Sequence, residues 1–141
     1  MEKLFILFLI AGLTACADTK KEDMNTKSLG EKVEFFLEND QYTDALTLLE
    51  NQDASEEVAT LTEKAYLNYG LFLEYRDSNV SNMRDKMNGA LVQYIEVLKI
   101  NPDNEKAVSE IEQILGIYST FENRTPDEKV MEDLRNLGFE V

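Results

Sequence analysis

The chain has no histidine and no tryptophan, and one cysteine among its 141 residues. Without histidine, Ser-His-Asp and Cys-His chemistry has no base, and the usual zinc sites lose their imidazole ligands. A single thiol forms no intrachain disulfide, so Cys16 has no role in a covalent framework. Carboxylates, lysines, tyrosines and hydroxyls remain for catalysis, and no nucleophile motif organises them. Among 28 acidic residues a carboxylate pair can be drawn almost anywhere, so such pairing says nothing about glycoside hydrolysis. The chain reads as non-catalytic and without a cofactor. Positive charge is scarce too: 14 Lys and Arg stand against 28 Asp and Glu, for a net charge of −14. That field repels phosphate backbones, which excludes nucleic acid as the expected partner. It also disfavours broad adhesion to anionic lipid headgroups, which needs clusters of Lys or Arg. A basic partner would be steered in, although the same charges also keep a helical surface soluble.

Long apolar runs are absent except at the start. Lys3 precedes the ten apolar residues Leu4 to Leu13. A membrane span needs roughly 20 such residues to cross about 30 Å, so this run is too short to span but suits the core of an export signal. Small residues then lead to Cys16. The segment resembles a bacterial lipoprotein signal peptide, with Leu13-Thr14-Ala15-Cys16 matching the lipobox. The resemblance implies cleavage before Cys16 and lipid attachment to its sulfur. Residues 1–15 are then a leader, and the mature chain is held to the membrane through Cys16. Loss of Glu2 and Lys3 leaves the net charge unchanged. A plain secretory signal with a coincident cysteine is the other reading. Ala17, where aspartate would retain a lipoprotein at the inner membrane, implies the outer membrane. Lys20-Lys21-Glu22-Asp23 resembles the charged export tag of some surface lipoproteins. The expected location is the bacterial cell envelope, facing the periplasm or the surface.

Residues 16–28 carry the cysteine and a polar stretch without apolar periodicity, read as a flexible tether. Residues 29–141 are enough for one domain with its own core. Their period is helical throughout, and no segment alternates for long enough to argue a strand. Leu29, Val33, Phe36 and Leu37 mark a first helix, broken at Asn39-Asp40. Ala45, Leu48 and Leu49 mark a second. Val58, Leu61, Ala65, Tyr69 and Phe72 mark a long third, capped by Asp53 or Ser55. Met87 to Leu98 and Val108 to Phe121 hold the fourth and fifth. Thr125-Pro126-Asp127-Glu128 reads as a capping box opening the last helix. Gly138 ends it, with Phe139 folding back on Leu134. The connections are short except for one longer loop between Tyr75 and Met87.

Tyr66, Tyr69, Gly70 and Leu73, followed by Ala90, Tyr94 and Pro102, resemble a tetratricopeptide repeat. Gly70 and Ala90 are small enough to let two helices approach. The spacing departs from the family: 16 residues separate Leu73 from Ala90 where the family has about eight. Weaker matches flank this stretch, at Val33 to Leu49 and at Val108 to Leu115. The implied fold is all-α, with helical hairpins stacked as a short solenoid of about six helices. The last helix would pair with the fifth or cap the stack. An irregular six-helix bundle is the alternative.

In that family the first helix of each pair lines a groove for an extended peptide or a partner helix. Carried onto the best repeat, the groove positions are Lys64, Leu67, Leu71, Glu74 and Tyr75. Leu67 and Leu71 stand where some members place a carboxylate clamp, so no clamp is expected. Packing of both leucines on a neighbouring repeat is the competing role. Asp77-Ser78-Asn79-Val80-Ser81-Asn82 loosely resembles a calcium loop. However, Asn88 replaces its closing glutamate and Asn82 its glycine, so it reads as a turn capping the next helix. The expected function is a membrane-anchored interaction or scaffold module docking an envelope protein or peptide with basic residues. A ligand- or cation-binding accessory lipoprotein using the acidic surface is the alternative.

Overall fold

The structure, a computed structural model, describes residues 24–141. The leader, Cys16 and the charged stretch Lys20 to Asp23 lie outside the described residues.

Local signals write the helix ends. After a short 3-10 turn at Met24–Thr26, α1 spans Leu29–Glu38. Ser28 opens it with a capping box: its Oγ accepts from the Glu31 N–H at 3.3 Å, and Glu31 Oε2 accepts from the Ser28 N–H at 2.7 Å. Asp40 ends it at φ 57°, a left-handed conformation that Asp tolerates better than most residues. The Gln41 N–H then reaches back to the Phe36 carbonyl at 2.8 Å. Helix α2 follows at Tyr42–Glu50 and α3 at Glu56–Leu71, the latter capped by Ser55 rather than Asp53. Helices α4 (Met83–Ile100) and α5 (Glu105–Ser119) are capped by Asn82 and Asn104. Each such cap is worth about 1 kcal/mol. Helix α6, Glu128–Asn136, ends in the expected way: Gly138 sits at φ 93° and the Phe139 N–H donates to the Leu134 carbonyl at 3.0 Å.

Two expectations need correction. The last helix starts after Asp127, not at a capping box on Thr125. Pro126 is buried, and the Asp127 N–H donates to Asn88 Oδ1 of α4 at 2.9 Å, so tertiary contacts set the entry. The long loop after Tyr75 is also absent. The α3 helix continues into a π-turn at Phe72–Arg76, and α4 begins four residues before Met87. The connection shrinks to residues 77–82, and the extra residues of the repeat spacing are taken up in longer helices.

Among the described residues there is no strand; the fold is all-α with six helices. Helices adjacent in sequence pack on one another from α1 to α5, and α1 also touches α3. Helix α6 rests on α4. Two apolar clusters result. Val33, Leu37, Tyr42, Ala45, Leu49 and Ala65 form the N-terminal one. The C-terminal one is built on α4, with Leu91, Tyr94 and Leu98 against Ile111 and Ile114 of α5 and Leu134 of α6. Helix α3 serves both: Leu61 and Tyr69 face the first cluster, Tyr66, Leu67 and Leu71 the second.

Candidate functional site

Lys64, Leu67, Leu71, Glu74 and Tyr75 recur along α3 and its π-turn at spacings that keep them on one side of the helix. The structure gives them different surroundings. Lys64 is exposed and pairs with Glu34 of α1. Leu67 and Leu71 are half-buried and pack against the C-terminal cluster, so much of their apolar surface serves the core. Glu74 and Tyr75 reach the last part of the row, where α4 and α5 meet it.

A polar network forms there. The Tyr94 hydroxyl donates to Glu74 Oε2 at 2.8 Å. The Tyr75 hydroxyl donates to Glu110 Oε2 of α5 at 2.6 Å. Gln113 Nε2 donates to the Tyr75 oxygen at 2.7 Å and to Glu74 Oε1 at 3.3 Å. Lys106 closes the network by pairing with Glu110. The next residue of the π-turn, Arg76, turns to the other side of the molecule. Its Nη2 donates to Asp40 Oδ1 at 2.7 Å and to the Tyr42 hydroxyl at 2.6 Å. Successive residues of one π-turn therefore tie α3 to α4, α5 and the start of α2. A π-turn adds a residue to the helical turn, which re-aims its side chains, and such turns are frequent at functional sites.

Burial opposes charge throughout this region. It raises the Tyr94 and Tyr75 hydroxyls, helped by the carboxylates they bond, so both donate as neutral phenols. Tyr42 is pushed up to about 12 for the same reason, burial first and then Asp40. Burial also raises Glu74, opposed by the hydrogen bond from Tyr94 and reinforced by the charge on Glu110. At Glu110, burial is again the largest influence, but the hydrogen bonds from Lys106 and Tyr75 together outweigh it and hold the carboxyl below its ordinary range.

The two carboxylates give opposite acid responses. A carboxyl lowered on folding adds stability that is complete above its unfolded pKa and lost as pH falls through its folded one. Glu110→Gln is therefore expected to cost about 1 kcal/mol near pH 7, since its donors Lys106 and Tyr75 are half-exposed and water can partly satisfy them. Its deficit should shrink as pH falls below 4.5. A carboxyl raised on folding does the reverse and favours the folded state as it takes up a proton. Glu74→Gln should thus fall off more steeply in acid than the parent chain. Urea midpoints from pH 3 to 7 check both; a Glu110→Gln deficit constant across that range would refute the assignment.

Glu110 and Gln113 were not singled out by sequence reasoning. A signal existed for Glu110. It adjoins Ile111 on the stripe Ala107, Ile111, Ile114 and Tyr118, and a carboxylate beside an apolar stripe has to be paired if it is buried. It is 3 % exposed. The loop at 77–82 behaves as a turn. Asp77 is buried and accepts from the Asn79 N–H at 2.8 Å, while Asn82 Oδ1 caps the Arg84 N–H at 3.0 Å. Among the described residues, no group of three acidic side chains is placed to hold a metal ion, and no helix is long and apolar enough to cross a membrane. Comparison with protein-family models, curated proteins and solved structures found no match to this chain.

Proposed function

We propose that this protein is a lipid-anchored, non-catalytic interaction module of the bacterial cell envelope. In this reading its helices stack as tetratricopeptide-like pairs, and the face along α3 docks a protein or peptide with basic residues. One observation carries the reading. The row from Lys64 to Tyr75 is linked to α1 at one end, through Glu34, and to α5 at the other, through Glu110. Those three helices would be the first members of successive pairs, so their side chains share one surface. Glu34 and Tyr75 are accessible on it, Tyr75 at 56 %. An apolar segment carrying lysine or arginine fits an aromatic, acid-rimmed surface of this kind. Cys16 and the polar tether would hold the domain at the membrane while leaving that surface free to reach a neighbour.

Two measurements test it. Cys16→Ala is expected to move the protein from the membrane fraction to the soluble fraction and to abolish incorporation of labelled fatty acid; persistence of the label would sink the anchor. A photo-reactive residue at Tyr75, chosen for its exposure, is expected to capture one envelope protein in the native cell. Capture should be lost when Glu34→Lys reverses the charge at the far end of the row. Crosslinks that are solely intramolecular, or indifferent to Glu34→Lys, would remove the docking face.

A further inference from the structure

Away from the α3 face, the start of α4 and the end of α5 line a half-open apolar cavity of about 360 Å³. That lies within the range of about 300–1,000 Å³ usual for small-molecule sites. Met83 and Met87 wall one side, Ile117 and Phe121 the other. Arg84 and Arg124 stand at its edge, and both also line an adjoining polar pocket of about 400 Å³ with Asn82 and Thr125. Arg84 Nη2 donates to Asp127 at 2.8 Å. Arg124 lies 5.1 Å from the Phe121 ring and has no carboxylate partner among the described residues.

Tyr118 belongs to the same wall. It is 6 % exposed, and its hydroxyl reaches no acceptor, although the Arg84 guanidinium stands close enough to oppose the upward pull of burial on its pKa. A buried unpaired hydroxyl costs about 1–3 kcal/mol, so its retention calls for a reason. In a chain of net charge −14, a site for an anion has to be made by local arginines, and two stand here.

We propose that this cavity binds a small amphipathic carboxylate: an aliphatic body against Met83, Met87, Ile117 and Phe121, and a carboxylate on Arg124 and Arg84. The Tyr118 hydroxyl donates to that carboxylate and gains the acceptor it lacks. Met83 and Arg84 are exposed, unbranched side chains, so admitting the ligand needs only their rotation. The site is separate from the α3 face and does not depend on it.

The test is calorimetric titration of the full chain with decanoate, with decanol as its neutral counterpart. Carbon-13 methyl spectra of the methionines report position. Decanoate is expected to saturate one site and to shift the Met83 and Met87 methyls. Decanol should bind at least roughly tenfold more weakly, as expected when charge-assisted hydrogen bonds are lost. Arg124→Ala should cause a similar loss with an unchanged melting temperature, because Arg124 is exposed. Tyr118→Phe, which keeps the ring, should weaken decanoate but not decanol. Absence of saturation, equal affinity for decanol, or indifference to Arg124→Ala would overturn the proposal. So would a peptide ending in a free leucine carboxylate that shifts the same methyls while decanoate does not, which would assign the cavity to a protein C-terminus.

Discussion

Gly70→Ala is expected to destabilise the fold by about 1–3 kcal/mol, although alanine is the better helix former by up to about 1 kcal/mol. The reason is one contact. A Cβ at Gly70 would stand 2.4 Å from Tyr94 Cε1, 2.8 Å from Cδ1 and 3.0 Å from Cζ. Tyr94 cannot withdraw. Its ring is fully buried among α4, α5 and the second half of α3, and its hydroxyl is held by Glu74. Interiors this dense transmit an extra methyl into side-chain or backbone shifts. Gly116, in α5, is the control: a Cβ there meets nothing, so Gly116→Ala should leave stability unchanged or raise it by up to about 1 kcal/mol. In a Tyr94→Leu background the cost of Gly70→Ala should largely vanish, since the colliding ring atoms are gone. Urea denaturation followed by helical circular dichroism measures all of these. If Gly70→Ala proved as stable as the parent, the close approach of α3 and α4 would not be a constraint on the fold.

Leu49→Ala is expected to cost about 2–5 kcal/mol, and to do so unevenly along the chain. Leu49 is 2 % exposed and sits in the N-terminal cluster with Val33, Leu37, Tyr42, Ala45 and Ala65. The residues of that cluster lie on α1, α2 and one face of α3. The C-terminal cluster draws on different residues, from Met87 onward. Proteins open locally as well as globally, so a cavity in one cluster need not open the other. Native-state hydrogen exchange should show α1 and α2 losing protection in Leu49→Ala, while α4 to α6 keep most of theirs. Equal loss across all six helices would show instead that the two clusters unfold as one.

The two substitutions probe different joints of the same molecule. Gly70 lies between Tyr69, which packs on the first cluster, and Leu71, which packs on the second, just before the π-turn that carries Glu74, Tyr75 and Arg76. Arg76 ties that turn to Asp40 and Tyr42, and Tyr42 stacks on Tyr69 at 5.2 Å. Exposed ion pairs such as Arg76–Asp40 contribute little, so the aromatic stack and the apolar clusters supply most of the cohesion across this joint.

Much of this architecture was legible before any coordinates. Helix number and approximate extent follow from apolar residues three and four apart, because a helix shows its neighbours at that spacing one common face. A cap at Asp53 or Ser55, Asn39-Asp40 as a break and the Gly138–Phe139 ending were readable because each involves groups within about five residues of one another. The row Lys64, Leu67, Leu71, Glu74 and Tyr75 came from the resemblance to a tetratricopeptide repeat, carried over position by position. Its partners were not legible. Glu34, Glu110 and Gln113 come to it from helices distant in sequence, and no local period points to them. The entry to α6 was misread for the same reason. Thr125-Pro126-Asp127-Glu128 has the composition of a cap, yet Asp127 is held by Asn88 and Arg84 of α4, which shift the start of the helix.

By itself, the sequence determined an all-helical chain, a strongly acidic composition, and the approximate placing of its helices. These rest on composition and on contacts within one or two helical turns. The tertiary structure decided the rest: that α3 divides its faces between two clusters, that it ends in a π-turn, that Glu110 is buried beneath Tyr75, and that the Tyr118 hydroxyl is left without an acceptor beside two arginines. Each depends on which distant side chains fill the space around a residue, and packing, unlike helical period, is set by the whole chain at once.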